Sequence, residues 1–320
     1  MTFELVIISG KGGTGKTSVT AALAALASPV VLADCDVDAP DLHLLTQPRV
    51  AHRHEFSGGG KARIDSERCL GCGQCAEICR FDAIGEAPAP DGTAITYAVD
   101  QFACEGCGAC VAACLADALR FEPVVNGAWF VSKTRFGPMV HARLMPGEEN
   151  SGKLVSLVRR EARELAERER HPLVLIDGSP GVGCPVIASL TNANLALVVA
   201  EPTLSGLHDA DRVLELADQL HVAAALCINR ADLNPRLADR LEAEAQARGA
   251  RPLGRVREDL AMVDAQLRAR AVTEWPAAGD GAASDLRSLW DRLHTLFLAM
   301  SAEPSHDNLQ GAMHEDCRPD

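Results

Sequence analysis

The chain has 320 residues and is 47% hydrophobic, which is enough for one large core or two of ordinary size. Its formal net charge of −13 argues against nucleic acid as a partner, because phosphate binding requires clustered Lys and Arg. No apolar stretch approaches the ~20 residues that cross a bilayer, so we expect no stable membrane insertion. The chain enters a strand without a signal peptide, so we expect a cytoplasmic protein whose cysteines are metal ligands or free thiols.

The order of the predicted elements indicates a mostly parallel α/β sheet. A short apolar strand at residues 3–8 is followed by a glycine-rich loop, a helix at 18–27 and a buried strand at 30–33. Further strands are predicted at 173–176, 195–200, 222–228 and 252–256, and helices between them at 153–170 and 237–248.

The glycine-rich loop matches the phosphate-binding pattern, Gly10-x4-Gly15-Lys16-Thr17, and has the required strand before it and helix after it. Its backbone N–H groups can surround a phosphate, and the helix N-terminus adds positive potential. We expect Lys16 to reach the β- and γ-phosphates and Thr17 to bind Mg²⁺, so ATP and Mg²⁺ are the expected cofactors. The predicted nucleotide-binding residues of the loop are Gly10, Gly12, Gly13, Thr14, Gly15, Lys16, Thr17 and Ser18.

Acidic residues follow two of the predicted buried strands. Residues 34–38 read Asp-Cys-Asp-Val-Asp, and Asp177 ends a strand just before a Gly-Ser-Pro-Gly turn. An acid at a strand end is often only a helix or turn cap, so each signal alone is weak. Beside a phosphate-binding loop, the two together predict a magnesium site.

Eight of the twelve cysteines repeat the spacing Cys-x2-Cys-x2-Cys-x3-Cys. In bacterial ferredoxins with this spacing, three thiolates of a run bind one cluster and the fourth binds the other. We therefore predict two [4Fe-4S] clusters; zinc is the competing interpretation, but zinc sites usually show two separated Cys-x2-Cys pairs. The predicted ligands are Cys69, Cys72, Cys75 and Cys114 for the first cluster, and Cys104, Cys107, Cys110 and Cys79 for the second.

Other features of the cysteines leave alternatives open. Arg80 and Leu115 stand where ferredoxins usually have a proline, which bears on cluster potential and local rigidity more than on ligation. Cys184 follows the predicted magnesium turn, and Cys35 lies between two acids. Either thiol could meet a metal or a redox partner, but burial among apolar residues is the commoner fate and is our expectation.

Predicted sheet strands lie on both sides of the cysteine runs, so we interpret the cysteine-rich segment as an insertion and not as a tandem domain. An apolar stripe near the C-terminus could bind a membrane surface, but its polar face lacks a basic bias, which favours packing on the sheet. The predicted boundaries are 1–46 and 144–300 for the two parts of the ATP-binding domain, 47–143 for the insertion with a core at about 61–121, and 301–320 for a disordered tail.

Together these motifs resemble the MinD/Mrp-type P-loop ATPases that contain an inserted ferredoxin domain. The resemblance spans nearly the whole chain. It implies an α/β fold with a mostly parallel, MinD/SIMIBI-like sheet, a small α+β insertion that resembles bacterial ferredoxin, and ATP hydrolysis. Lys11 resembles the second lysine of the "deviant" Walker A loop shared with ParA and the nitrogenase iron protein. That match implies that Lys11 crosses a dimer interface to the partner's nucleotide; a solvated loop lysine is the alternative.

The resemblance also implies roles for several polar residues. Asp36 would position the attacking water, so that Lys11, Lys16 and Asp36 form the catalytic set. Asp34 and Asp177 would support Mg²⁺ together with Thr17. The pair that follows a later strand, Asn229 and Arg230, would contact the adenine, with a turn-forming asparagine as the alternative.

The leading functional hypothesis is an ATPase in iron–sulfur or related metallocofactor assembly or transfer. The second is ATP-gated electron delivery to a partner, and the third is a positioning ATPase whose clusters are structural or sensory. The expected partners are a second copy of this chain or a paralogous ATPase in a dimer, and a redox or cluster-accepting protein. No nucleic acid is expected.

Overall fold

The computed structural model describes residues 2–89, 92, 94–145, 151–275 and 279–302. The predicted disordered tail therefore lies, apart from its first two residues, outside the described residues. The strands of the described part are β1 Phe3–Ser9, β2 Val31–Asp34, β3 Arg49–Phe56, β4 Gly59–Ile64, β5 Ile84–Pro88, β6 Ile95–Val99, β7 Leu119–Val124, β8 Gly127–Thr134, β9 Gly137–Leu144, β10 Leu173–Pro180, β11 Leu195–Ala200, β12 Ala223–Asn229 and β13 Arg251–Val256.

Helices connect most of these strands, as the alternating sequence pattern predicts. The α-helices are α1 Lys16–Ala27, α2 Leu42–Thr46, α3 Gln74–Ile78, α4 Ala109–Ala113, α5 Ser151–Glu169, α6 Cys184–Leu190, α7 Leu204–Gln219, α8 Pro235–Ala247, α9 Leu260–Gln266 and α10 Ala282–Ala302. Two 3₁₀ turns, Ala231–Leu233 and Val272–Glu274, complete the described set.

Nine strands form one sheet in the order β13-β12-β11-β1-β10-β2-β9-β8-β3. The pairs from β13 to β9 are all parallel, which confirms the predicted mostly parallel sheet. The central strands are continuous apolar runs because helices cover both of their faces. In this parallel arrangement the carboxyl ends of β1, β2, β10 and β12 open on one edge of the sheet, where ligands of open α/β sheets bind.

Three strands from the predicted insertion belong to this main sheet. β9 pairs in parallel with β2, and the antiparallel strands β8 and β3 extend the sheet to its edge. The predicted boundaries at 47 and 143 thus enclose more than the segment with its own sheets. That segment, residues 59–124, contains the two-stranded sheets β4-β7 and β5-β6, and we call it the cysteine module.

Two hydrophobic clusters lie on opposite faces of the main sheet. One is covered mainly by α5, α6, α7 and α8, and the other by α1, α2 and α10. The apolar stripe of α10 is buried in the second cluster through Leu286, Leu289, Leu293 and Leu296. The predicted packing of this helix on the sheet is therefore confirmed. Of the helices that the structure describes, none is both long enough and apolar enough to cross a membrane.

The packing of α10 predicts a stability difference between two leucines of the same helix. Leu289 is 1% exposed and Leu298 is 54% exposed. We expect Leu289→Ala to lower the free energy of unfolding by about 2–5 kcal/mol, because it removes buried surface and leaves a cavity. Leu298→Ala, the matched control, should change it by less than about 0.5 kcal/mol. Urea unfolding followed by circular dichroism measures both, and equal effects would show that α10 does not close the core.

Candidate functional site

The phosphate-binding loop lies between the central strand β1 and the first turn of α1. Gly15 precedes the helix in a left-handed conformation, with φ 87°, which only glycine adopts without strain. The loop forms one wall of a cleft of about 590 Å³ at the carboxyl edge of the sheet. Asp36, Asp38 and Ser179 line the cleft opposite the loop, so the structure brings the predicted loop and the predicted acids together.

Asp177 holds the functional side chains of the loop and of α1. It lies within β10, three residues before the strand ends at Pro180, and its carboxylate is fully buried. Lys16 Nζ lies 3.0 Å from Asp177 Oδ1, and Thr17 Oγ1 donates to Asp177 Oδ2 at 2.8 Å. Thr20, which the sequence analysis missed, donates to Oδ1 at 2.9 Å. Burial lowers the pKa of the Lys16 ammonium, but the charges of Asp177 and Asp36 outweigh it and raise this pKa overall.

Asp34 and Asp36 add two more carboxyl groups beside Lys16. Asp34 pairs with Asp177 across neighbouring strands, and Asp36 Oδ2 lies 3.6 Å from Lys16 Nζ. Burial and the Asp177 charge raise the pKa of Asp34 well above its usual range, and burial also raises the pKa of Asp36. Asp34 Oδ1 accepts from the Asp36 N–H, whereas its buried Oδ2 has no hydrogen-bond partner among the residues that the structure describes.

Three carboxyl groups around one lysine leave the pocket with excess negative charge and one unsatisfied oxygen. A hard divalent cation with oxygen ligands supplies what this set lacks. Mg²⁺ beside phosphates usually takes only one or two carboxylates and completes its shell with water and phosphate oxygens, so the residues fit the predicted magnesium site, with Thr17 at its edge, without three converging carboxylates.

Asn229 and Arg230 lie on the other side of the loop, at the end of β12. Asn229 Nδ2 donates to the carbonyl oxygen of Thr14 at 2.7 Å, and the Asn229 amide packs directly against the hydrogen atoms of Gly15. Asn229 thus supports the loop itself, and its predicted adenine contact stays a prediction. Arg230 lines both the phosphate cleft and a contiguous pocket bounded by α9, where a nucleoside would continue from the phosphates.

Lys11 is folded back onto its own chain. Its ammonium lies 3.1 Å from Ser205 Oγ and 3.5 Å from Glu201 Oε2, while Arg230 binds the other oxygen of Glu201. Glu201 and Ser205 were missed by the sequence analysis. The signal that could have found Glu201 is its position directly after β11, because Asp34 also lies at the carboxyl end of a strand.

The two cysteine runs fold as a repeated unit within the cysteine module. In each run two glycines with positive φ precede a five-residue helix, α3 or α4, and the fourth cysteine caps that helix. The two helices pack against each other over a small core that includes Cys75 and Cys110. The repeated spacing therefore produces two related loops around one shared core.

One cavity of the module is lined by cysteines from both runs. Cys69, Cys72 and Cys75 of the first run and Cys114 of the second all border it. Burial raises the pKa of the Cys69 thiol, but neighbouring hydrogen-bond donors, among them the N–H groups of Gly71 and Tyr97, outweigh this and lower that pKa overall. These four cysteines are those predicted for the first cluster.

Separate observations, and not one shared cavity, place the four cysteines predicted to bind the second cluster near one another. Burial and the neighbouring charges of Cys104 and Cys107 raise the pKa of Cys110, so these three thiols lie together. Cys79 belongs to the same small core. Among the described residues, no three His, Cys, Asp or Glu side chains converge as a single metal ion would require. A [4Fe-4S] cluster needs wider spacing, since each thiolate binds a different iron.

The remaining cysteines differ in exposure. Cys35 is fully buried, as expected, and so is Cys227, where burial raises the pKa of the thiol to about 12. Cys184 is exposed, so its predicted burial is wrong. It begins α6, whose buried side lies further along the helix at Val186 and Leu190, and its Cβ packs beside Gly152 at the start of α5.

The fold and the site together define a P-loop nucleotide-binding protein. The family model for the CobQ/CobB/MinD/ParA nucleotide binding domain (CbiA) matches residues 5–272. The chain therefore belongs to the CobQ/CobB/MinD/ParA family, whose MinD and ParA branches are P-loop ATPases.

Two archaeal relatives and two solved structures agree with this membership. The uncharacterized protein MJ0578 of Methanocaldococcus jannaschii is 35% identical over 235 residues, which cover 72% of this chain and 79% of that protein. The uncharacterized protein MJ0579 of the same organism is 25% identical over 235 residues, which cover 71% of this chain and 81% of that protein. MinD from Pyrococcus horikoshii, complexed with Mg-ADP, has a TM-score of 0.56 at 17% identity and covers 95% of this chain and 100% of its own. Pyrococcus furiosus MinD has a TM-score of 0.55 at 18% identity, and the match covers 92% of this chain and 100% of that MinD chain. These structures support a MinD-like fold.

The contacts of Asp177 predict a magnesium-dependent loss of nucleotide binding. Asp177→Asn keeps the shape of the side chain but removes the charge that orders Lys16 and Thr17. Charge-assisted hydrogen bonds contribute about 1.5–3 kcal/mol, so we expect ATP affinity in Mg²⁺ to fall by about 10- to 100-fold. In EDTA the difference should shrink. Asp41→Asn, an exposed acid that lines the same cleft, is the control. Titration with a fluorescent ATP analogue measures both variants, and an equal loss in EDTA would contradict a role through Mg²⁺.

Proposed function

We propose that this protein is an ATPase with two resident [4Fe-4S] clusters that delivers electrons to a partner protein under the control of ATP. The observation that carries the proposal is the cavity lined by Cys69, Cys72 and Cys75 together with Cys114. A ligand set drawn from both runs is the arrangement of two-cluster ferredoxins. Because this chain also contains a phosphate-binding loop, the ligand set supports a coupling of ATP hydrolysis to redox chemistry.

The first cluster would be held by Cys69, Cys72, Cys75 and Cys114, and the second by Cys104, Cys107, Cys110 and Cys79. When bound, each such cluster accepts and releases one electron. The chain supplies hydrogen-bond donors near the thiolates, such as the N–H groups of Gly71 and Tyr97 at Cys69. Donors of this kind stabilise negative charge on sulfur and so tune the reduction potential.

The interleaved ligands favour electron delivery over cluster transfer. Releasing the first cluster would require Cys114, at the end of α4, to separate from the loop of the first run, although both belong to one packed core. A carrier that donates its cluster needs an easier exit. Metallocofactor assembly or transfer, the leading hypothesis from the sequence, becomes the alternative that the experiment below must exclude.

The two runs lie at different distances from the ATP-binding domain along the two-stranded β4-β7 sheet. Gly106 of the second run packs against the carbonyl oxygen of Gly60, at the end of this small sheet that adjoins the main sheet. The cavity of the first run is bordered by Leu119, at the far end of the same small sheet. The second cluster would therefore be nearer the ATP-binding domain, and the first nearer an external partner.

Short contacts connect the nucleotide cleft with the base of the module. Cys184, at the start of α6, packs against Gly152 of α5. Lys153, which follows Gly152 in the chain, donates to the carbonyl oxygen of Gly58 at 2.7 Å. Gly58 immediately precedes β4. Its N–H also donates to Asn126 Oδ1 at 2.9 Å, which ties the two strands that enter and leave the module. A movement of the segment between the end of β10 and α6 would therefore reach the module through α5.

On the ATP side, Lys16 would bind the phosphates, Asp34, Asp177 and Thr17 would hold Mg²⁺, and Asp36 would orient the attacking water. Lys11 would act on the nucleotide of a second subunit, either another copy or a paralogue, as an in-trans cation does in other P-loop enzymes. The electron source would be a low-potential one-electron reductant of the ferredoxin or flavodoxin class.

Electron delivery and cluster transfer predict opposite outcomes in one experiment. The anaerobically reconstituted protein, reduced with dithionite and freed of it, is mixed with apo-ferredoxin and with cytochrome c as an electron acceptor. We expect ATP to accelerate cytochrome c reduction, with the iron retained on this protein. Iron that moves to apo-ferredoxin in the presence of ATP would overturn electron delivery in favour of cluster transfer.

The cysteine assignment is tested by iron content and electron paramagnetic resonance. Cys114→Ser should lower the iron content by about half and remove one of the two reduced-cluster signals, because it takes one ligand from one cluster. Cys184→Ser, an exposed cysteine outside both sets, is the control and should keep all the iron. Full iron content in Cys114→Ser would contradict the interleaved ligand sets.

The contact between Lys153 and Gly58 predicts an uncoupled variant. Lys153→Met keeps the length of the side chain but cannot donate to the Gly58 carbonyl. We expect ATP hydrolysis to stay within about twofold of the wild type while the ATP-dependent acceleration of electron delivery falls severalfold. Lys133→Met, on the exposed side of β8, is the control. Unchanged acceleration in Lys153→Met would show that coupling does not pass through this contact.

A further inference from the structure

We infer that Glu201 is a positioning residue that retains Lys11 in its own subunit until nucleotide and a second subunit draw the lysine away. The inference rests on the proposed in-trans role of Lys11 and adds a residue that controls it. Glu201 follows β11, and Thr203, two residues further on, caps α7 by accepting from the Gly206 N–H at 2.9 Å. The carboxylate is therefore held between a core strand and a capped helix.

Glu201 is shared by two cations. One of its oxygens binds Arg230, and the other lies 3.5 Å from the ammonium of Lys11. Ser205, in the first turn of α7, adds a contact of 3.1 Å between its hydroxyl and the same ammonium. These contacts fold Lys11 over its own cleft. A lysine in this position cannot at the same time extend to the nucleotide of another subunit.

Arg230 lowers the free-energy cost of separating Lys11 from Glu201. Only 8% of Glu201 is exposed, so a carboxylate left there without a cation would be costly. Because Arg230 remains on the other oxygen, Glu201 stays paired after Lys11 leaves. The Lys11 side chain is 31% exposed, and an ion pair of this exposure contributes little to stability. The ion pair between Lys11 and Glu201 thus favours the position of Lys11 over its own cleft, and it can break when a second subunit binds.

The arrangement also joins the two parts of the nucleotide site. Arg230 lines the phosphate cleft and the contiguous pocket beside α9, while Lys11 lies at the start of the phosphate-binding loop. Within the described part of the chain, Glu201 is the one carboxylate with an ion pair to both Lys11 and Arg230. A structural role for Glu201 needs only Arg230, whereas a positioning role needs the contact with Lys11, and this difference can be measured.

The test is the protein concentration at which the full chain dimerises with saturating Mg²⁺ and a non-hydrolysable ATP analogue, measured by sedimentation velocity. Glu201→Gln removes the charge that retains Lys11 in both subunits. We expect the variant to dimerise at a concentration about three- to tenfold lower than the wild type. Glu242→Gln removes a carboxylate that pairs with Arg255 away from the cleft, and it should dimerise as the wild type does.

Two further variants separate positioning from structure. In a Lys11→Ala background, Glu201→Gln should no longer change the dimerisation concentration, because there is no lysine to retain. Ser205→Ala, which leaves the pair between Glu201 and Arg230 intact, should shift dimerisation in the same direction by a smaller factor. A shift of equal size with and without Lys11 would assign Glu201 a structural role and overturn the inference.

Failure of the inference and failure of the proposed function give different results. If Lys11→Ala raises the concentration needed for dimerisation but Glu201→Gln behaves as the wild type, the in-trans role stands and the inference about Glu201 is wrong. If Lys11→Ala dimerises as the wild type does, the in-trans role itself is wrong. Should Glu201→Gln be poorly folded, Ser205→Ala alone decides: no shift in its dimerisation overturns the inference.

Discussion

The buried carboxylate of Asp177 is the interaction on which the rest of the site depends. It lies near the carboxyl end of β10 in the middle of a parallel sheet, where helices cover both faces, and it orders Lys16, Thr17 and Thr20 together. With Asp34 and Asp36 nearby, the pocket contains more negative charge than Lys16 alone can balance. In the proposed function a cation and phosphates would complete this site, so its occupancy and the positions of its loops would be linked.

That link matters because the same loops lead to the cysteine module. The segment between the end of β10 and α6 reaches Gly152 through Cys184, and Lys153 then contacts Gly58 at the base of the module. The chain enters and leaves the module at one end, where β4 and β7 adjoin the main sheet. The second cysteine run faces this attached end, and the first lies toward the free end. This polarity is consistent with a path between a partner protein and the ATP-binding domain.

Much of the main sheet was predictable, because buried parallel strands are continuous apolar runs and the phosphate loop has a strict pattern. The strands β3, β8 and β9 were assigned to the insertion, although they extend the main sheet. Their side chains are only partly buried, so their residue pattern does not indicate which sheet they join. Cys184 was expected to be buried because cysteine usually is, but the first turn of α6 faces outward. Glu201 escaped notice because one acid after a strand has many possible roles.

The sequence by itself determined the chemistry that this protein can carry: the loop and its lysines, the acids at two strand ends, and the spacing of eight cysteines. Each is a local pattern, in which neighbouring residues must lie close together whatever the rest of the chain does. Only the tertiary structure decided which distant groups meet. The cavity shared by Cys114 and the first run, the support that Asn229 gives to the loop, and the carboxylate of Glu201 between Lys11 and Arg230 all join residues far apart in the chain. Such contacts depend on strand order and helix packing, which no local pattern encodes.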